Sequence, residues 1–263
     1  MAIFLTICAA MFELLRMSQQ KYSGETQLSA AYQDSRLAMD QIVRDFNIAG
    51  YPPADMFSVL PPTAQYAITP VAWIPGYSNV PPTPCTLGQP GAGSGSCAGN
   101  PGDYDLIIET RIPPTPTDPP NPNPPVSWIC YHYDPPSLTL FRAVVTPKTT
   151  GSTPPSPSQV AALGTPLLKN VMNNPGSLMS QITANYPTMF PGGQAQPVFQ
   201  YTCDNPPGTP TPCWQATGMN NSPRNIRDMD VMLIVMTPQQ DLQTQSFKLV
   251  ELFGRGHRSN PVN

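Results

Sequence analysis

Residues 1–49 contain no proline and are predicted to form one continuous helix, which constrains the fold more than any other feature of this chain. Gly50 supplies a C-terminal stop signal, and Pro52 and Pro53 follow it directly. At about 1.5 Å per residue, such a helix is roughly 70 Å long. A compact domain does not need a rod of that length, so we expect one end to project from the rest of the protein.

The second part of this helix, residues 16–50, is amphipathic. Its apolar side chains recur at alternating steps of four and three residues, which places them on one face. This face is expected to pack on the remainder of the chain, while Arg36, Gln41 and Arg44 stay largely exposed. The predicted packing residues are Leu28, Tyr32, Met39, Ile42, Val43 and Phe46.

The first part, residues 1–15, is apolar almost all round. A transmembrane helix needs about 20 apolar residues, but only about 15 precede Arg16, and Glu13 interrupts them. This segment is either a buried helix of a soluble protein or the last part of a membrane helix that begins further upstream. The second interpretation better explains its continuous transition into a polar stalk. The residues predicted to contact lipid or neighbouring helices are Ile3, Phe4, Leu5, Ile7, Phe12 and Leu15.

Beyond the helix, the composition is rich in proline and poor in charge. The chain has 37 Pro and 18 Gly among 263 residues, and only 11% of its residues are charged. Hydrophobic residues still make up 40%, which is enough for a folded core. The prolines cluster in segments 52–84, 113–125, 147–157 and 205–212, which are predicted to be loops. A net charge of -3 with 13 basic residues gives no electrostatic signature of nucleic-acid binding.

Two pairs of cysteines flank short polar loops. The pairs Cys85–Cys97 and Cys203–Cys213 are the economical disulfides, although sequence alone does not fix connectivity and all six cysteines could be reduced. Cys130 would then be a core thiol, and Cys8 a thiol facing lipid or another helix. Neither pair has CxxC spacing and the chain has only two histidines, which disfavours a zinc site.

The apolar runs after Gly50 are short and typical of β-strands. One helix followed by antiparallel strands predicts an α+β fold, with the helix in residues 1–50 and a β-rich head in residues 51–263. Two of the runs form a hairpin around Asp134–Ser137. Strands are predicted at 105–112, 126–133, 138–145, 197–202, 231–236 and 246–253, with a short helix at 177–185.

Three segments resemble the type IV pilin-like superfamily, most closely its PilW-class minor pilins and the J-class minor pseudopilins of type II secretion. Residues 33–51 (QDSRLAMDQIVRDFNIAGY) are similar to the segment where helix meets head in that family. The hairpin WICYHYDPPSLTLFRAVV, residues 128–145, is similar to its tyrosine-bearing strand, Asp turn and Leu-x-Arg strand. The end of the chain, residues 228–240 and 246–261, is similar to its last two strands and basic tail.

This resemblance implies a non-enzymatic filament subunit with no cofactor. Its partners would be other pilins or pseudopilins, contacted through the N-terminal helix, and the lipid of the inner membrane, with the head in the periplasm. Family precursors carry a basic leader ending in Gly, followed closely by a Glu, and neither is present in the expected place. We therefore expect either that the true N-terminus lies upstream or that this copy is not processed.

Catalytic and metal-binding patterns are weak throughout the chain. There is no GxSxG, HExxH, P-loop or dinucleotide fingerprint. Gly91–Gly95 is predicted to be a flexible loop, and His132 a packed core residue because it alternates with Trp128 and Cys130 along a strand. Asp103 with Asp105, or Asp228 with Asp230, could offer carboxylates to Ca²⁺, although solubilising charge at strand ends is favoured.

Two other functional classes remain open. One is an adhesin-like head at a filament tip, or a membrane-anchored periplasmic binding protein, that uses aromatic loops around Trp73, Tyr77 and Trp214. The other is a secreted enzyme with an N-terminal anchor, which the lack of any nucleophile–base arrangement disfavours. Exposure of the aromatic loops would distinguish the binding head from the filament subunit.

Overall fold

The computed structural model describes residues 1–50, 71–72, 103–111, 126–145, 155–204, 210–215, 226–241 and 246–258. Within these residues the chain has an α+β fold, as predicted, with a long N-terminal helix and two antiparallel sheets. The second half of the helix lies against the head, and the first half extends beyond it.

Helix α1 spans Ala2–Asn47 without interruption. It ends in a turn at residues 48–50, where Gly50 adopts a positive φ of 75°, so the predicted glycine stop is confirmed. The backbone N–H of Gly50 donates to the carbonyl of Glu109 at 2.8 Å. The hydroxyl of Thr110 donates to the carbonyl of Ile48 at 3.0 Å. These two bonds attach the end of the helix to the head.

The first sheet has five strands in the order β1-β2-β3-β4-β5. They are β1 (Val71–Ala72), β2 (Asp105–Arg111), β3 (Val126–Asp134), β4 (Thr139–Val145) and β5 (Thr165–Leu168). The predicted hairpin is confirmed: β3 and β4 pair from Trp128↔Val145 to Asp134↔Thr139. Asp134 stabilises the connecting turn because its carboxylate accepts bonds from both the backbone N–H and the hydroxyl of Ser137.

The second sheet has four strands in the order β7-β6-β8-β9. They are β6 (Phe199–Asp204), β7 (Pro210–Pro212), β8 (Ile226–Met236) and β9 (Leu249–His257). The strand predicted at 231–236 is confirmed and lies inside the sheet, since β8 pairs on both sides and its residues 231–236 are buried. β9 forms one edge of this sheet.

The segment after β5 joins the two sheets, beginning with Val171, whose N–H donates to the carbonyl of Leu138 in the β3–β4 turn at 2.8 Å. After β5 the chain runs alongside the end of β8, where Met172 N–H donates to the carbonyl of Ile234 at 2.7 Å. Next in the chain, Asn173 accepts from Ile234 N–H at 3.0 Å and donates to the carbonyl of Met232 at 2.9 Å. On the side of β8 away from β9, no strand of the described residues pairs at this point. The Asn173 side chain therefore supplies the hydrogen-bond partners that the buried backbone groups of Met232 and Ile234 require.

Among the described residues between β4 and β6 there are two short α-helices. Helix α2 (Pro157–Leu163) begins at the last residue of segment 147–157, which was predicted to be a loop from its proline content. Ser156 and Gln159 form a capping box and Pro157 occupies the first turn, so this proline starts a helix instead of preventing one. Helix α3 (Met179–Asn185) agrees with the helix predicted at 177–185.

Cys203 and Cys213 form a disulfide with an S–S distance of 2.06 Å, which confirms this predicted pair. Cys85 and Cys97 lie outside the described residues. Within the described part of the chain Cys8 and Cys130 are free thiols, and burial raises the pKa of the Cys130 thiol. Cys130 is therefore protonated and inert at neutral pH.

Buried tyrosines make the head sensitive to alkaline pH. Burial, and then the charge of Asp103, raise the pKa of Tyr104 from 10.0 to about 12. Burial also raises the pKa of Tyr131, Tyr133 and Tyr201. In the unfolded chain these phenols ionise near their ordinary pKa, so the stability they contribute is complete below that value and is lost as the pH rises toward the folded pKa.

We expect unfolding to begin above about pH 10, with each buried tyrosine lowering the free energy of unfolding by about 1.4 kcal/mol per pH unit. The check is an alkaline titration followed by near-ultraviolet phenolate absorbance and circular dichroism together. Ionisation of these tyrosines should coincide with loss of the folded signal. Ionisation of all ten tyrosines in a chain that keeps its folded circular dichroism would contradict the expectation.

Candidate functional site

Helix α1 packs on the head through one narrow face. Met39, Ile42 and Phe46 are buried, whereas Leu28 and Val43 are half-buried at its margins. The packing prediction for Tyr32 is wrong, because its side chain is 48% exposed. At 100° per residue, Tyr32 points about 80° away from Ile42, whereas Ala31 points only about 20° away. Ala31 therefore occupies the contact position instead.

The exposed face of α1 follows the prediction for two of its three residues. Arg36 and Arg44 are exposed, while Gln41 is half-buried. The side-chain amide of Gln41 donates to the carboxylate of Asp45 at 2.8 Å, which draws it toward the head.

Two glycines of β9 receive the helix. A Cβ atom added to Gly254 would lie 2.7 Å from the Cγ of Met39. A Cβ added to Gly256 would lie 2.9 Å from the Cδ1 of Phe46. Real side-chain contacts are longer than this, so the absence of side chains at these positions lets α1 lie directly on β9.

A buried charge network fixes the last turn of α1. The Asp45 side chain accepts from the hydroxyl of Tyr131 at 2.5 Å and from the Nη2 of Arg142 at 2.8 Å. Asp45 is only 4% exposed, so its carboxylate depends on these donors. Burial, and then the Asp45 charge, raise the pKa of Tyr131, which keeps the phenol protonated as a donor.

Sequence reasoning did not select Asp45 as a site residue. All three members of the network nevertheless lie in the segments that resemble the pilin-like superfamily: Asp45 in residues 33–51, and Tyr131 and Arg142 in the hairpin. A signal for Asp45 was nevertheless present in the sequence. At 100° per residue, Asp45 lies only 60° from Ile42 around the helix, so it is an Asp on the apolar, buried face. A buried carboxylate requires a cation, and Arg142 supplies it.

In both acidic pairs that were considered for Ca²⁺, at least one carboxylate contacts basic side chains of the protein. Asp228 contacts Arg255 Nη2 at 2.8 Å and His257 Nδ1 at 2.5 Å. Although burial opposes ionisation, bonds from His257 and Arg255 hold the pKa of Asp228 below its usual value. Asp105 lies 2.6 Å from His132 Nδ1, and burial raises the pKa of this carboxyl.

No group of three or more His, Cys, Asp or Glu side chains in the described residues is arranged to hold a metal ion. His132 is mostly buried, with 14% of its side chain exposed, and it is paired with Asp105. The glycine-rich loop at 91–95 and the aromatic loop of Trp73 and Tyr77 lie outside the described residues.

The first part of α1 carries a dense group of exposed apolar side chains. Eight large side chains there are at least 50% exposed: Ile3, Phe4, Leu5, Ile7, Met11, Phe12, Leu14 and Leu15. At 100° per residue they span about 200°, which is more than half of the helix circumference. The remaining stripe contains Thr6, Ala9, Glu13 and Arg16. We call these eight side chains the apolar arc.

The apolar arc is too wide for a single partner helix. One helix packed against another covers a stripe of about 100°, so several neighbours or lipid are needed to cover the arc. Neither α1 nor any other helix among the described residues contains a stretch long and apolar enough to cross a membrane.

No protein-family model matches this chain, and no curated protein or solved structure matches it either. The candidate site is therefore defined by geometry: an apolar arc that projects from a head on which the second half of the same helix is packed.

Proposed function

We propose that this chain is a non-enzymatic structural subunit of a type IV pilus or a type II secretion pseudopilus. It polymerises through residues 3–15 of α1, whose neighbours in the filament are the helices of other pilins or pseudopilins. The observation that carries the proposal is the apolar arc, which spans most of the helix circumference and remains exposed in the isolated chain.

The energetics of the arc favour a multi-helix environment. Full burial of one large apolar side chain stabilises by about 1.5–3 kcal/mol. Burial of eight such side chains therefore provides a driving force on the order of 10 kcal/mol. Since one neighbouring helix covers only part of the arc, a filament core with several surrounding helices uses more of this surface than a dimer does.

The attachment of α1 to the head supports a structural role. The glycines of β9, the Asp45 network and the bonds at Gly50 hold the second half of the helix against both sheets. Force applied to the projecting segment is thus transmitted to the head without an intervening flexible hinge. A subunit that is added to, or withdrawn from, a growing filament requires such a connection.

We place the head in the periplasm and the apolar segment in the inner membrane before assembly. The Cys203–Cys213 disulfide supports an oxidising compartment, because disulfides persist in the periplasm and outside the cell but are rare in the cytosol. Lipid would cover the apolar arc until neighbouring helices replace it.

The proposal is tested by locating the chain in filaments sheared from the source organism. The variant Phe4→Lys with Phe12→Lys places two charges in the apolar arc. Its recovery in the filament fraction should fall at least about tenfold, since two apolar contacts are lost. The matched control, Thr6→Lys with Ala9→Lys, places two charges on the opposite stripe and should be recovered like the parent chain.

Both variants should unfold at the temperature of the parent, because the substituted side chains are exposed in the isolated chain. If the parent never co-purifies with filaments, or if the arc variant is recovered as well as the control, the proposal is wrong.

A further inference from the structure

Strand β9 leaves one row of backbone groups unpaired. Thr237 N–H donates to the carbonyl of Lys248, and Arg258 N–H donates to the carbonyl of Arg227, so both ends of the β8–β9 ladder are hydrogen-bonded pairs. The continuous register between them makes the even-numbered residues of β9 face β8. The odd-numbered residues therefore direct their N–H and C=O groups away from the sheet.

One end of this outward row is already occupied. His257 N–H donates to the side-chain oxygen of Asn47, at the end of α1, at 2.9 Å. The backbone groups of Glu251, Phe253 and Arg255 have no hydrogen-bond partner in the described part of the chain. We call these three residues the open edge.

The open edge also carries the most exposed large apolar side chain of the described head. Phe253 is 71% exposed, and it lies at the centre of the edge between Glu251 and Arg255. Long edge strands are usually blocked by proline, lysine or a bulge. β9 has nine residues, contains neither Pro nor Lys, and pairs with β8 without a shift in register.

The geometry points to a strand-docking site: we propose that the open edge binds an extended, basic segment of a partner protein, which adds to the sheet as an antiparallel strand. This inference goes beyond the proposed function and does not depend on it. Each of the three open residues would exchange N–H···O=C bonds with the added strand, and side chains of the two strands would meet on the outer face of the sheet.

The position of α1 disfavours a second copy of this chain as the docked strand. Because α1 lies directly over Gly254 and Gly256, two β9 strands paired about a two-fold axis would each bring a helix to the same face. Paired strands are about 4.8 Å apart, whereas packed helices need about 8–10 Å between their axes. Such pairing would crowd the two helices, which favours an added strand that has no helix over that face.

The charges near the open edge define the chemistry of the partner. Asp228 and Asp230 share Arg255, whereas Glu251 has no ion-pair partner among the described residues. The edge therefore presents more carboxylates than guanidinium groups. A Lys or Arg opposite Glu251 forms a favourable cross-strand pair, and an apolar residue opposite Phe253 covers its ring.

The first experiment uses the full chain, in a mild detergent that covers the apolar arc, and two synthetic peptides. Thr-Thr-Val-Thr-Lys-Thr-Val places Val opposite Phe253 and Lys opposite Glu251 in antiparallel register. Thr-Thr-Val-Thr-Glu-Thr-Val is the matched control. We expect the lysine peptide to bind about fivefold more tightly, because one attractive cross-strand pair replaces a repulsive one.

Amide hydrogen exchange reports the register directly. The lysine peptide should slow exchange at Glu251, Phe253 and Arg255, and leave Leu252 and Gly254, whose N–H groups already face β8, unchanged. No change at the three open amides at peptide saturation would overturn the proposal.

Two variants separate docking from folding. Glu251→Lys should reverse the preference, so that the glutamate peptide binds more tightly. Glu251→Pro removes one outward donor without removing a β8–β9 bond, and should abolish binding of both peptides. An unchanged peptide preference in Glu251→Lys would contradict the assigned partner. The assigned partner would also be contradicted if sedimentation shows that the chain forms dimers and that Phe253→Thr dissociates them. The strand at the open edge would then belong to a second copy of this chain.

Discussion

Replacement of Asp45 by alanine is expected to lower the free energy of unfolding by about 3–5 kcal/mol. The Asp45 carboxylate accepts bonds from Tyr131, Arg142 and Gln41 at the point where α1 meets the head. Its removal leaves a partly buried guanidinium without its anion and a buried phenol without its acceptor. The check is urea denaturation of the full chain in detergent, followed by the circular dichroism of the head.

Asp40→Ala is the matched control, because Asp40 is an exposed aspartate on the same helix. It should change the free energy of unfolding by less than about 0.5 kcal/mol. Combining Asp45→Ala with Arg142→Met should cost less than the sum of the two single changes, since the second removes the charge that the first leaves unpaired. Simple additivity would show that Asp45 and Arg142 do not interact as described.

Phe46→Ala is expected to cost about 3–5 kcal/mol, through lost contact and the cavity left behind. Phe46 is fully buried, and its ring lies against Gly256 of β9. Because the glycine offers no side chain to fill the space, the cavity cannot close by a simple change of rotamer. Urea denaturation and thermal melting of the full chain measure the loss.

Tyr32→Ala is the control for Phe46→Ala, since both remove an aromatic ring from the same helix. Tyr32 is 48% exposed, so its loss should shift the melting temperature far less than the loss of Phe46. Equal effects would mean that the buried face of α1 is misassigned.

The periodicity of the sequence was enough to predict most secondary structure. The long helix, its glycine stop, the β3–β4 hairpin and the central strand β8 all depend on local patterns: apolar spacing, turn residues and helix-stop signals. Such patterns act within a few residues and can be recognised without knowledge of contacts. At Pro157 two local signals conflicted: the proline content predicted a loop, whereas the capping box favours a helix start. The structure has a helix there.

The packing face of α1 was predictable only in part. Apolar spacing identified Met39, Ile42 and Phe46, but it also included Tyr32 and omitted Ala31 and Asp45. Small and charged residues give no hydrophobic signal even when the tertiary structure buries them. Ala31 is buried because of its angular position, and Asp45 because Tyr131 and Arg142 approach it from another part of the chain.

The sequence by itself thus determined an α+β chain with a continuous helix and an apolar first segment, and it favoured the Cys203–Cys213 disulfide that the structure contains. Only the tertiary structure decided that the strands divide into two sheets joined by the segment after β5, that α1 packs on Gly254 and Gly256, and that β9 ends the sheet with an open edge. The physical reason is that strand pairing, glycine contacts and buried ion pairs join residues far apart in the chain. Local sequence patterns do not encode which distant partners will meet.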